Sequence, residues 1–172
     1  REMTLDEIRE LRAKTPKDME IEAFVHGAMC MSYSGRCLIS SYLSGKSGNH
    51  GECTQPCRWM YNIVEEKRPE QHFTVIEENG TSAILSSHDL CCVDFLDEIA
   101  DAGVISFKIE GRMKRPEYVA AAVTAIRQSR DGEENTEMLK KLRGVFSRSG
   151  FTDGYFENKR GSDMFGTRQK ED

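Results

Sequence analysis

Four of the chain's six cysteines, Cys30, Cys37, Cys53 and Cys57, fall between Gly27 and Arg58, a stretch rich in Gly and Ser with no clear helical or strand period. A segment of this kind keeps its order either by cross-linking its thiols or by wrapping around something compact. Disulfides belong to oxidising compartments, and the chain shows no basic n-region followed by an apolar h-region that would mark a secretory signal. The expectation is a cytoplasmic protein whose clustered thiols stay reduced and serve metal binding or catalysis. Gly35, Gly45, Gly48 and Gly51 let the backbone turn tightly around such a centre. Thiolates suit zinc or an iron–sulfur cluster, and the spacing lacks the paired C-x-x-C of zinc ribbons, which weighs against zinc. Of the adjacent Cys91 and Cys92, one is expected to be a small buried hydrophobe, because neighbours on a helix cannot both face one site.

At 172 residues the chain is one domain's worth of polypeptide. It is shorter than the roughly 250 residues of a complete TIM barrel. It opens on Arg1 rather than Met, and reads as a piece of something longer. No apolar run approaches the roughly 18 residues that would suggest a membrane span. With 24 Lys+Arg against 29 Asp+Glu the net charge is −5. That balance argues against gross, charge-driven nucleic-acid binding and leaves only local basic patches.

Local patterns predict an α/β chain with parallel strands. Thr4 and Glu7 form a capping box that opens a helix to about Lys14. Met19 to Val25 alternates as a strand, with Glu20, Glu22, Phe24 and His26 on one face. His72–Ile76 and Ala83–Leu85 read as short strands around a turn at Glu78-Asn79-Gly80. Ser86 or Ser87 caps a helix carrying Val93, Leu96, Ile99 and Ala100, closed by Gly103. Val104–Ile109 is the clearest strand, Pro116 opens a helix to about Arg130, and Glu137–Arg148 is a further amphipathic helix.

The segment Glu22-Ala23-Phe24-Val25-His26-Gly27-Ala28-Met29-Cys30, then four residues, then Gly35-Arg36-Cys37-Leu38-Ile39-Ser40, resembles the signature of the collagenase-like peptidase family U-32. Lys108-Ile109-Glu110-Gly111-Arg112-Met113-Lys114 with Pro116-Glu117-Tyr118-Val119 resembles its second block, and Gly150-Phe151-Thr152-Asp153-Gly154-Tyr155-Phe156 its closing block. The likeness runs from about Leu5 to Met164. It implies a TIM-like (β/α) barrel of which residues 1–148 are the later half, with 149–172 as a C-terminal extension. The family includes peptidases reported to degrade collagen, and proteins that hydroxylate the wobble uridine of tRNA, a cytidine of ribosomal RNA, or the ubiquinone ring. Several members hold a 4Fe–4S cluster on four cysteines. Carried onto this chain, that pattern implies Cys30, Cys37, Cys53 and Cys91 as ligands, with Cys57 as the competing fourth.

Other residues are candidates on their own chemistry. Lys108 and Glu110 share a face at the C-terminal end of a strand, where barrel enzymes place catalytic groups, and Arg112 just beyond is suited to an anionic substrate group. A solvated ion cluster is the competing reading. Arg112, Lys114 and Arg115 form a compact basic cluster suited to RNA phosphates, although such turns are usually solvated faces. His26 on a strand is more often structural than a ligand. Tyr33, Tyr42 and Trp59 are able to stack on bases, but the commoner role would be to cover a metal site.

The favoured function is RNA modification, hydroxylation of tRNA uridine, with an iron–sulfur cluster. The alternatives are a collagenase-like endopeptidase acting on peptide bonds, and a non-catalytic zinc knot. Neither H-E-x-x-H nor G-x-S-x-G occurs, and His26, His50, His72 and His88 are not at zinc-protease spacing. The expected partners are tRNA or a peptide substrate, and the missing first half of the barrel; no membrane is expected.

Overall fold

The computed structural model describes residues 1–34, 36–59, 61–74, 87–112, 114–147 and 150–158, with Met164. The chain divides into two compact units: Arg1–Met29 with His88–Met164, and Cys30–Ser87. No helix among the described residues is long and apolar enough to cross a membrane.

The first unit opens with helix α1, Leu5–Lys14, and its capping box is formed as expected. The Glu7 N–H donates to Thr4 Oγ1 at 3.2 Å, and the Thr4 N–H donates to Glu7 Oε2 at 2.7 Å. Strand β1, Glu22–Ala28, starts three residues later than the alternation from Met19 suggested. Residues 23–27 are all buried, so the face carrying Phe24 and His26 is as covered as the other.

That burial follows from position in the sheet. β1 lies between β5 (Ser106–Ile109) and β4 (Asp89–Cys91), in the strand order β5-β1-β4-β6, where β6 is Phe151–Thr152. β5 runs parallel to β1, with Phe24 opposite Lys108. β4 runs antiparallel to β1, with His26 opposite Cys91 and Ala28 opposite Asp89. β6 is parallel to β4. The sheet is therefore mixed, and β4 has no counterpart in a barrel of eight parallel strands.

Gly27 sits where β1 meets the end of β5. Its φ is +119°, and a Cβ there would stand 2.8 Å from the Glu110 carbonyl oxygen. Gly27→Ala combines a disfavoured dihedral with a backbone clash, and is expected to destabilise the protein by about 2–3 kcal/mol. Urea unfolding checks this, and a loss below about 0.5 kcal/mol would refute the close approach.

The segment expected to be helical from Ser86 or Ser87 instead contributes strand β4. The helical stripe belongs to the chain after it: a 3-10 turn at Val93–Phe95, then α3, Leu96–Asp101. Val93, Leu96 and Ile99 are buried, while Ala100 is exposed. Gly103 takes a left-handed φ of +92° just past α3, and its N–H bonds to Ala100 O at 2.8 Å. Helix α4, Pro116–Arg130, has the expected bounds. It buries Tyr118, Ala121, Ala122 and Ala125, and Leu142 packs in one cluster with them. Helix α5, Thr136–Lys141, widens into a π-helical turn at Leu142–Phe146, shorter than the expected helix from Glu137; Arg148 lies outside the described residues. The main core joins Val25, Leu90, Val93, Leu96, Ile99 and Val104.

The second unit contains helix α2, Ile39–Ser44, two 3-10 turns at Gly48–His50 and Pro56–Arg58, and a hairpin of β2 (Asn62–Glu65) and β3 (Arg68–Thr74). The strand expected from His72 thus starts at Arg68 and pairs with β2. The expected Ala83–Leu85 strand and its turn lie outside the described residues. Six residues of helix are too few to show a period, so α2 was not visible in the Gly/Ser-rich stretch. It is held from the side: the Thr54 N–H donates to Ser40 Oγ at 3.1 Å, and Ser44 Oγ lies 3.0 Å from Thr54 Oγ1.

Candidate functional site

The second unit collects the thiols. Cys30 is exposed and Cys37, Cys53 and Cys57 are half-buried, all four free. Burial raises the Cys57 thiol above its ordinary value; the neighbouring Arg58 lowers it, and negative charge on Cys30, Cys53 or Cys37 would raise it further. Cys53 sits next to the Thr54 anchor, and its Sγ accepts the Gln55 N–H at 3.3 Å. Gly48 passes close by: a Cβ there would stand 3.5 Å from the Cys53 Cβ.

Four neighbouring thiols repel one another when ionised, and a soft cation is what lets them lose their protons together. The donor set fits zinc or an iron–sulfur cluster. Among the described residues no three His, Cys, Asp or Glu side chains are placed so that they could hold a metal ion.

Cys91 belongs to the first unit. Burial raises its thiol; a hydrogen bond from the backbone at Val93 counteracts this, and Asp94 and Arg143 act in opposite senses on it. It lines a cleft of about 390 Å³ with Asp94, Phe95, Arg143, Phe151 and Asp153. Cys92 is fully buried and burial pushes its thiol far up. It is the core member of the adjacent pair.

A buried polar network also occupies the first unit. His26 Nδ1 lies 2.9 Å from the Tyr118 hydroxyl, and both residues are essentially inaccessible. His26 Nε2 is buried without a hydrogen-bond partner among the described residues. Phe151 meets the imidazole edge-on at a centroid distance of 5.4 Å. Burial lowers the His26 pKa to about 4, with Asp89 opposing and Lys114 reinforcing the shift. Lys114 Nζ donates to Asp89 Oδ2 at 3.1 Å and to Phe146 O at 3.0 Å, and lies 4.9 Å from the centre of the Tyr118 ring.

The charged candidates therefore separate. Lys114 is turned inward onto Asp89. Arg112 and Arg115 are exposed, and Arg115 lies 3.8 Å from Glu117. Lys108 Nζ is 3.8 Å from Glu22 Oε1, across the β1–β5 ladder, and is exposed. Glu110 folds back on its own turn, where its Oε1 accepts the Arg112 N–H at 2.8 Å. Sequence reasoning missed Asp89 and Tyr118 as functional candidates. For Tyr118 a signal existed: it stands three, four and seven residues before Ala121, Ala122 and Ala125, on the buried stripe of α4.

A mixed α/β protein with a separate unit that gathers four free thiols is, as a class, a candidate soft-metal protein. The chain belongs to peptidase family U32, which matches residues 1–165. It is 34% identical to tRNA hydroxylation protein P of Escherichia coli (strain K12), over 90% of this chain and 44% of that protein. It is 37% identical to the 23S rRNA 5-hydroxycytidine C2501 synthase of the same organism, over 84% of this chain and 21% of that protein. It is 33% identical to Collagenase of Porphyromonas gingivalis (strain ATCC BAA-308 / W83), over 93% of this chain and 41% of that protein. The chain spans less than half the length of each of these relatives. No solved structure matches it.

Proposed function

We propose that this chain is part of an RNA-modifying protein that hydroxylates a pyrimidine base, the wobble uridine of tRNA being the favoured substrate, with a 4Fe–4S cluster held in its cysteine-bearing unit. The observation that carries the reading is that Cys30, Cys37, Cys53 and Cys57 are all free and belong to one compact unit. The names of the tRNA and rRNA relatives supply the substrate class. Cys57 is the fourth ligand in this reading, because it lies in the unit that holds the other three, and Cys91 is the competitor. A cluster bound there supplies one-electron transfer. The protein's own residues would hold it and donate N–H groups to the sulfurs, as Gln55 does to Cys53. The first unit is read as the later part of a TIM-like barrel. The parallel β1–β5 ladder with α4 following β5 supports that wiring, whereas the antiparallel β4 counts against a regular barrel.

Anaerobic purification with iron, sulfide and zinc analysis tests the reading. The expected result is about four irons per chain, lost in Cys37→Ser and Cys57→Ser and kept in Cys91→Ser. Iron lost in Cys91→Ser and kept in Cys57→Ser would move the fourth ligand to the first unit. Stoichiometric zinc without iron would replace the cluster with a structural knot. Turnover of gelatin that survives all of these substitutions would favour the peptidase.

A further inference from the structure

The segment from Cys30 to Tyr61 is unlike the rest of the chain in charge. It carries Arg36, Lys46 and Arg58 against Glu52 alone, although acidic residues outnumber basic ones 29 to 24 over the whole sequence. It also holds Tyr33, Tyr42, Trp59 and Tyr61, most of the chain's five tyrosines and one tryptophan. Their exposures are 65%, 88%, 45% and 46%. Large aromatic side chains are normally drawn into a core, and the expected role for Tyr33, Tyr42 and Trp59 was to cover the metal site.

The local structure turns at least Tyr42 away from that role. Ser40 and Ser44 face Thr54 on one side of α2, and Tyr42, two residues from each, stands on the opposite side. Tyr61 is pinned by its hydroxyl, which donates to Pro56 O at 2.7 Å, while nearly half of the residue stays exposed. Arg36 and Lys46 are exposed as well.

We propose that the cysteine-bearing unit is a binding surface for single-stranded RNA, with unpaired bases stacking on Tyr33, Tyr42, Trp59 and Tyr61 and phosphates meeting Arg36 and Lys46. The inference rests on the RNA-modification reading and names the surface that presents the strand. Single-stranded nucleic acid requires π-faces for its bases and cations for its backbone, and both are concentrated here. Each of these aromatics also carries a polar atom, and Glu52 is the one acidic residue from Cys30 to Tyr61. A purely apolar protein partner would need neither feature.

The test uses the full-length protein that carries this chain and a labelled oligouridylate of about eight nucleotides, with Kd read by fluorescence anisotropy at several salt concentrations. Tyr42→Ala and Trp59→Ala are each expected to weaken binding about 5- to 150-fold without changing the salt slope. Tyr42→Phe, which keeps the ring, should stay within about twofold. Arg36→Ala and Lys46→Ala should weaken binding and each reduce the salt slope by about one phosphate contact. Unchanged Kd in both alanine variants of the aromatics would overturn the proposal, as would equal competition by inorganic polyphosphate, which offers charge without bases. A wild-type protein that binds no oligouridylate would make the face a protein contact and overturn it too. Iron content measured on the same variants is expected to be unchanged. RNA hydroxylation persisting in a Tyr42→Ala/Trp59→Ala double variant, with affinity unaltered, would overturn the surface and leave the functional reading standing. Tight, stacking-dependent RNA binding by a protein without cluster or hydroxylation would do the reverse.

Discussion

Asp89→Ala is expected to cost about 3–5 kcal/mol of stability, the range for removing one partner of a buried ion pair. Asp89 is 3% exposed, and the Lys114 side chain 11%. Without the carboxylate, the ammonium keeps Phe146 O and the Tyr118 ring but loses its counter-charge in a place water hardly reaches. The uncompensated cation, more than the lost hydrogen bond, sets the size of the effect. The melting temperature should fall by roughly 6–20 °C. Replacing both residues, Asp89→Leu with Lys114→Met, removes the desolvation cost together with the attraction, and should recover most of the loss. Urea unfolding of the two single variants and the double variant forms the cycle. If Asp89→Ala costs less than about 1 kcal/mol, the pair is solvated and contributes as a surface pair would.

Acid should weaken the protein through His26. Above pH 6.5 the imidazole is neutral in both folded and unfolded chains, so it contributes no pH dependence. Below that, the unfolded chain takes up a proton while the native imidazole, with its pKa lowered to about 4 by burial, does not. The unfolded state binds more protons across this window, so stability falls as pH falls from 6.5 towards 4, and levels off below it as far as this residue is concerned. At about 1.4 kcal/mol for each pH unit, the loss approaches roughly 3 kcal/mol. The groups facing the ring are Tyr118 on Nδ1, Phe151 at its edge, and the Asp89–Lys114 pair, whose opposite charges act on it in opposite senses. His26→Gln keeps a hydrogen-bonding group beside Tyr118 and removes the titration. Its unfolding free energy should be lower at neutral pH but flatter between pH 6.5 and 4. The comparison is best made with Cys37→Ser in both proteins, so that acid loss of a cluster plays no part. Parallel pH curves for the two would mean that His26 is not held neutral in the fold.

What could be read directly from the residues was local. Thr4 and Glu7 define a capping box because both partners lie within one turn. Pro116 opens α4 because its ring fixes the dihedral and its missing N–H would have no partner there. Gly103 takes the left-handed turn after α3 because a side chain would oppose it. Family membership was legible in the same way, since its signatures are short runs with fixed spacing. The collection of cysteines on one Gly/Ser-rich stretch was equally visible, and it named the donor chemistry.

The tertiary structure decided everything that depends on distant residues meeting. β4 is three residues long, too short to show a period, and becomes a strand only because β1 offers it a ladder. Lys114 looked like part of a basic turn, and its role changed when the fold placed Asp89, 25 positions away, within 3.1 Å of it. His26 became a buried imidazole because both faces of β1 are covered, with Tyr118 and Phe151 against its ring. Cys91 belongs to the first unit because the strand that carries it pairs with β1, which only the fold could show. Caps and turns are settled by contacts within a few residues, whereas burial, charge pairing and the grouping of thiols depend on which segments pack together.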